Sequence, residues 1–237
     1  MVTEHFRDEA FVEKYVEQGP ALFVPGFEAL HRMTAILLGE RVPNAGMLLL
    51  LGAGGGHELT RLAAQNAAWR FCAVDPSEAM LGAARTRMAQ QGAAERVDWV
   101  CGLIEDAPPG PFDGATCLLT LHFVPDDGAK LDTLRAIRGR LKPGAPLVLV
   151  DLCMDRGSQG FHRAVDLYGA YAEHTGAQHD DVEQTTSRIR AGDVRSVSPE
   201  RNVELFGEAG FVETELFYAG FSWRGWAMRN QDAIGSP

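Results

Sequence analysis

The segment MLLLLGAGGGHELTRLA, residues 47–63, constrains the fold of this chain more than any other. Five apolar residues run directly into Gly52, and four of the five positions 52–56 are glycine. A short run with no polar member reads as a strand buried on both faces. Glycines at its carboxyl end permit positive φ and let the backbone approach a bound group closely. They lead into a helix, whose N-terminus is itself suited to polar and anionic groups. A chain built on this unit is expected to continue as alternating strands and helices.

That rhythm is present. Met47 to Leu51 reads as a strand and His57 to Gln65 as a helix. Trp69 to Val74 is a strand, and Ser77 to Gln90 a helix capped by Ser77 with Glu78 in its first turn. Val97 to Cys101 and Ala115 to Leu121 are strands, Asp127 to Leu141 a helix stopped by KPGAP, and Pro146 to Leu152 a strand. Ser198 caps a further helix, with Pro199 in its first position and Gly210 after its end. FVETELFYAGFSWRGWAMRN then reads as two strands joined at Gly220 to Arg224. Ahead of all this, residues 8–40 carry helical periodicity, broken near GPALFVPGFEAL. The second half places Phe27, Leu30, Met33, Ile36 and Leu37 on one face.

Short apolar strands alternating with helices imply a parallel sheet covered on both faces, with right-handed crossovers. The expected fold is α/β: a doubly wound, mostly parallel, Rossmann-like seven-stranded sheet with an antiparallel C-terminal edge hairpin. The expected organisation is an N-terminal helical cap (1–44), a cofactor-binding half (45–153), a helical lid insertion (154–197), and the last helix with the C-terminal strand pair (198–237). The insertion is polar, interrupts the rhythm, and contains FHRAVDLYGAYAEHTG and HDDVEQTTSRIR.

Composition narrows the function. With 237 residues and 46% hydrophobic content, one elaborated α/β domain can bury a full core. No stretch of about eighteen apolar residues occurs, so no transmembrane helix is read. The charged N-terminus lacks an apolar signal core, and a cytoplasmic location is expected. A formal net charge of -10 argues against broad phosphate-backbone binding, so no nucleic-acid partner is expected. Cys72, Cys101, Cys117 and Cys153 are far apart and read as reduced core residues.

The glycines form G-x-G-x-G, with Gly52, Gly54 and Gly56. A nicotinamide-dinucleotide fingerprint would need glycine at His57, which disfavours a dehydrogenase. Asp75 ends the next strand, 23 residues after Gly52. A carboxylate there can accept hydrogen bonds from both hydroxyls of a ribose.

The order LLLGAGGG, AVDPSEAML, VCGLIEDAP, CLLTLHFV, LKPGAPLVLVD resembles the class I S-adenosylmethionine-dependent methyltransferases, over roughly residues 45–220. The resemblance implies S-adenosyl-L-methionine as cofactor and S-adenosyl-L-homocysteine as product. It implies that Gly52, Ala53 and Gly54 pass under the methionine part and that Asp75 holds the ribose. Pro76 and Met80 would flank the adenine, Gly102, Leu103 and Ile104 would line its edge, and Thr120 would sit beside the transferable group. The chain departs from the family at Leu50 and Leu103, both commonly acidic there. With Leu103 apolar, the adenine amino group would be read by backbone or by Asp106.

VPGFEALHRMTAIL, LTLHFV and the C-terminal segment are also similar to the carboxy-S-adenosylmethionine synthase subfamily. Its cofactor-contacting tyrosine falls on Phe27, which implies that Phe27 covers the cofactor, and its asparagine falls on Leu118. Its carboxylate-gripping arginine lands near Thr185, with Arg188 and Arg190 close by.

The function expected is methyl transfer to a small-molecule acceptor. A synthase making a carboxylated S-adenosylmethionine and a non-catalytic cofactor-binding protein are the alternatives. His122, after the fourth strand, is the candidate general base. Asp151, at the end of the fifth strand, reads as closing a turn, with a rim group as the alternative; Tyr168 and Tyr171 read as core aromatics at helical spacing, with acceptor contact from the lid as the alternative. His179, Asp180 and Asp181 read as a solvated acidic turn, and no metal site is assigned. The edge strands and the amphipathic N-terminal helix are compatible with a homodimer.

Overall fold

The computed structural model describes residue 6 and residues 9–231. Helices α1 (Glu9–Phe23) and α2 (Phe27–Gly39) come first, broken at Val24-Pro25-Gly26, where Gly26 has φ 66°. Then follow β1 (Met47–Leu51), α3 (His57–Gln65), β2 (Arg70–Asp75), α4 (Glu78–Gln90) and β3 (Val97–Cys101). The second half contains β4 (Gly114–Leu118), α5 (Ala129–Gly139), β5 (Pro146–Leu152), α6 (Phe161–His174) and α7 (His179–Ala191). The described chain ends with α8 (Pro199–Ala209), β6 (Phe211–Gly220) and β7 (Trp223–Asn230).

The seven strands form one sheet in the order β3-β2-β1-β4-β5-β7-β6. The first five are parallel, and β7 runs antiparallel to both β5 and β6. The chain winds outward from β1 to β3, then returns to β4 on the other side of β1. The order therefore reverses between β1 and β4, where an open α/β sheet presents a crevice at its carboxyl ends.

The apolar run of β1 packs both layers. Leu48 and Leu50 join a core with Leu30, Leu59, Phe71, Leu81 and Val150, while Leu49 and Leu51 join one with Cys72, Cys117, Leu134 and Phe206. Leu48, Leu49 and Leu50 are fully buried. Each such side chain contributes about 1.5–3 kcal/mol relative to an exposed one. The C-terminal hairpin lies at the sheet edge, as its sequence predicts.

The structure corrects several local expectations. The strand predicted over Ala115 to Leu121 stops at Leu118: Leu119 takes φ 56° and the chain makes a short helical turn at Leu121–Phe123. That departure frees Thr120 from the ladder. The helix predicted from Asp127 starts at Ala129, because Gly128 adopts φ 108° and Asp127 accepts the Ala129 N–H at 3.2 Å. The buried face of α2 is also rotated. It carries Phe27, Leu30, His31, Thr34, Ala35 and Leu38, whereas Ile36 is exposed. Two polar residues are tolerated inside because the helix satisfies them itself: His31 Nδ1 bonds to Phe27 O at 2.7 Å and Thr34 Oγ1 to Leu30 O at 3.0 Å. Cys101 is exposed, unlike the other three cysteines.

Candidate functional site

The glycine loop between β1 and α3 is built from left-handed backbone. Gly52, Gly54 and Gly56 have φ 76°, 51° and 83°. At Gly52 a Cβ would collide with the Thr120 side chain, so the tips of β1 and β4 meet only because this residue is glycine. The loop is bonded across to β2, where Val74 O accepts Gly52 N–H at 2.8 Å and Ala53 N–H at 3.0 Å. Asp75 completes the link: Oδ2 accepts Gly54 N–H and Oδ1 accepts Ser77 N–H, each at 2.9 Å. Burial raises the Asp75 carboxyl, opposed by these two donors. Each oxygen keeps a lone pair for a further donor.

A cavity of about 580 Å³ opens over this link. It is lined by Gly52, Ala53 and Gly54 from the loop, and by Asp75, Pro76 and Met80 after β2. Gly102, Leu103 and Ile104 line it after β3, and Thr120 after β4. Phe27 closes it from α2. All eleven residues predicted to surround the cofactor thus face one space, although they come from five separate segments.

His122 does not join them. It is 4% exposed and is absent from the cavity wall. Its Nδ1 lies 2.8 Å from Asp151 Oδ1, which also accepts the His122 backbone N–H at 2.7 Å. Trp223 packs edge-on to its ring. The general-base assignment of His122 is therefore corrected: the side chain is locked into the core beneath the rim. Asp151 is likewise fully buried, not a rim group. Burial would raise its carboxyl, but His122, Lys130 and Asn202 hold it below the usual range.

The insertion is also repositioned. Helices α6 and α7 contribute no residue to the cavity wall; the N-terminal segment does, through Phe6, Tyr15, Val16 and Pro20. Tyr168 packs against Phe23 and Trp223, and Tyr171 against Phe221. The α1 wall is pinned by its carbonyls: Val16 O receives His57 Nε2 at 2.6 Å and Arg87 Nη2 at 2.9 Å. Tyr15 stands beside Asp75, its phenol pushed up to about 12 by burial and then by the aspartate charge. Asp106 is spent on the turn after β3, accepting Leu103 N–H at 2.9 Å, and Glu105 faces the cavity instead.

Two further polar residues of the cavity lie outside the sequence-based assignment. His31 is buried, and burial lowers its imidazole to about 4. Its Nδ1 donates to Phe27 O, which leaves Nε2 unprotonated. Glu58, in the first turn of α3, is pushed up to about 7 by burial. Both sit on helix faces among leucines, and polarity at a periodic core position is the only signal the sequence offers for them. Arg188 and Arg190 pair with Asp193 at 3.3 Å and Asp166 at 2.7 Å, and no arginine lines the cavity among the described residues. Among the described residues no three His, Cys, Asp or Glu side chains gather as metal ligands. No single helix among them is long and apolar enough to cross a membrane.

Comparison with known proteins agrees with this geometry. Residues 49–147 match the family model described as a methyltransferase domain. The ubiquinone biosynthesis O-methyltransferase of Xylella fastidiosa is 33% identical over 123 residues, covering 50% of this chain and 47% of that protein. These similarities are to methyltransferases, and the family match is confined to residues 49–147. The chain spans about half the length of the curated relatives it matches. Two solved methyltransferases share the fold. A putative O-methyltransferase from Nostoc punctiforme has a TM-score of 0.66 at 15% identity, covering 94% of this chain and 61% of that one. Human N-acetylserotonin methyltransferase, solved in complex with S-adenosylmethionine, has 0.60 at 15%, covering 96% and 58%.

Proposed function

We propose that this chain transfers the methyl group of S-adenosylmethionine to a small-molecule acceptor. The observation that carries the reading is the convergence of the loop, Asp75, Pro76, Met80, the turn after β3 and Thr120 on one cavity at the switch point. The residues fit the cofactor. From Gly52 to Gly54 the loop carries no side chain beyond the Ala53 methyl, and a buried carboxylate with two spare lone pairs stands at the ribose position. Apolar Met80, Leu103 and Ile104 make a slot for a planar base.

The bound cofactor supplies an electrophilic methyl on a sulfonium whose departure leaves a neutral thioether. The protein's work is then alignment and exclusion of water. Asp75 orients the ribose, the glycine loop supports the amino-acid end, and Thr120 and Leu118 border the reacting side. Phe6, Tyr15 and Phe27 shut out solvent from the N-terminal side. His31, with Nε2 free, is the neutral nitrogen available to an acceptor proton. The names of the matched relatives make hydroxyl-bearing small molecules the first acceptor panel. Three buried free thiols suit a reducing compartment, and the reading assigns the protein to the cytoplasm.

The test is mass spectrometry of small molecules released from purified protein, with calorimetric titration of S-adenosylhomocysteine. Bound S-adenosylmethionine or S-adenosylhomocysteine, with affinity reduced at least about tenfold in Asp75→Ala, is expected from the loss of charge-assisted hydrogen bonds. No bound nucleoside and no heat of titration overturn the proposal. A carboxylated derivative on the protein turns it toward synthase chemistry.

A further inference from the structure

Glu58 is a buried carboxyl with an unmet need. It is 7% exposed, and its Oε1 is fully buried without a hydrogen-bond partner. The Thr116 hydroxyl, on β4, favours the ionised carboxylate, yet Thr116 Oγ1 itself has no hydrogen-bond partner. Leaving such an oxygen unpaired costs about 1–3 kcal/mol, and more when it is charged. Among the described residues, two arginines near the cavity are engaged elsewhere. Arg61 pairs with Glu28 and Arg87 bonds to Val16 O. The amino end of α3, at whose first turn Glu58 stands, offers partial compensation. The side chain nevertheless faces the cavity.

The sheet order says which part of a ligand reaches it. The strands run β3-β2-β1-β4 across the crevice. On the reading proposed above, on which this inference rests, adenine lies at the end of β3 and ribose at Asp75 on β2. A ligand continuing in the same direction crosses the tip of β1 and brings its far end to β4, beside Leu118 and Glu58. Leu50, the β1 neighbour of Thr116 in register, is apolar, so β1 offers no anion there. The far end of S-adenosylmethionine carries an α-ammonium with three donors, and the sulfonium must stay open to the acceptor.

We propose that Glu58 is the anionic partner of the cofactor's α-ammonium group, anchoring the amino-acid end on the β4 side of the crevice. A buried carboxylate and an ammonium make a charge-assisted hydrogen bond, and binding supplies a donor to Oε1, which has none among the described residues. Glu58 is a positioning residue. The free carboxyl, at about 7, carries a proton in part of the molecules at neutral pH. Ammonium binding ionises it, so a proton is released, and affinity rises with pH up to about 7 and then levels. The other titratable groups facing this space are His31, Asp75, Tyr15, Glu105 and Asp132, with His57 preceding Glu58 and Cys117 sensing its charge from β4. A ligand carboxylate meeting His31 or His57 would draw a proton in, which is the opposite sign.

Two probes separate the ends of the cofactor. S-adenosylhomocysteine carries the ammonium, whereas methylthioadenosine has the same adenosine but no amino-acid end. Calorimetry of the intact protein in buffers of different ionisation heat is expected to give proton release with S-adenosylhomocysteine and none with methylthioadenosine. Glu58→Gln is expected to weaken S-adenosylhomocysteine by about tenfold to a hundredfold, abolish the release, and leave methylthioadenosine unchanged. The proposal is overturned if the wild-type protein releases protons equally with both ligands. It is also overturned if Glu58→Gln weakens both ligands equally or neither. Should the variant not fold, the wild-type comparison of the two ligands decides alone. Binding of neither ligand to the wild type removes the methyltransferase reading itself, an outcome distinct from the others.

Discussion

Two buried carboxylates on opposite sides of β4 have opposite fates. Asp151, fully buried on β5, accepts His122 N–H and Nδ1 at 2.7 and 2.8 Å and Asn202 Nδ2 at 3.3 Å. Lys130, also fully buried, lowers its carboxyl further while donating to Leu121 O at 2.7 Å. Glu58 has burial and almost nothing else, and its carboxyl rises to about 7. Desolvation pushes both in the same direction, so the difference lies in the donors. Where the chain itself supplies them, the charge belongs to the scaffold. Where it does not, the charge faces the cavity and awaits a ligand.

Removing the satisfied charge tests the first half of that contrast and carries the largest expected effect. Asp151→Ala leaves His122, Asn202 and Lys130 buried without their anion, and a loss of about 3–5 kcal/mol in chemical denaturation is expected. S-adenosylhomocysteine affinity of the molecules that remain folded stays unchanged. A loss below about 1 kcal/mol would mean that the network is not a structural tie.

The pH dependence of stability comes next, with one limb from α2 and one from α3. His31 titrates at about 4 in the fold against 6.5 when free. The unfolded chain binds its proton first, so stability is lost as pH falls from about 6.5 toward about 4. That limb is worth about 3 kcal/mol, and His31→Gln removes it. Glu58 titrates at about 7 against 4.5 when free. Here the folded state holds the proton longer, so stability is lost as pH rises from about 4.5 through about 7. Glu58→Leu therefore stabilises the ligand-free protein by about 1–3 kcal/mol above neutral pH while weakening the cofactor. Denaturation curves across pH check both limbs. A Glu58→Leu protein no more stable than wild type above neutral pH would place the carboxyl among partners after all.

The same contrast explains what was legible in the sequence. The glycine loop, Asp75, Pro76 and Met80 act through local backbone geometry: a strand end, a left-handed turn, a helix start. Residues that act locally are visible in a local pattern, and the alternation of strands and helices fixes the switch point that gathers them. The burial of His122 is not legible locally because its partner Asp151 lies 29 residues on, and Asp151 is in turn bonded by Asn202, 51 residues further. Position after a strand suggested a rim, whereas the third dimension buried it. Glu58 and His31 went unassigned for the converse reason. Each interrupts an apolar helix face, and only the packed sheet shows that one interruption is answered within its own helix and the other is not.

The cavity wall offers the finest test, because the polar insertion looked like the lid and α1 is the wall. Tyr15 stacks with Phe11 at 5.9 Å and meets Phe6 edge-on at 5.2 Å, and it stands beside Asp75. If α1 covers the ribose by packing, the ring matters and the hydroxyl does not. Tyr15→Ala then weakens S-adenosylhomocysteine about tenfold, the loss of a buried aromatic contact. Tyr15→Phe stays within about twofold, since no hydrogen bond is removed. Tyr168→Phe, on α6, leaves binding unchanged because that helix lines no part of the cavity. A Tyr15→Phe protein as weak as Tyr15→Ala would shift the role from the ring to its hydroxyl. The α1 wall would then recognise the ribose through Asp75 instead of merely closing over it.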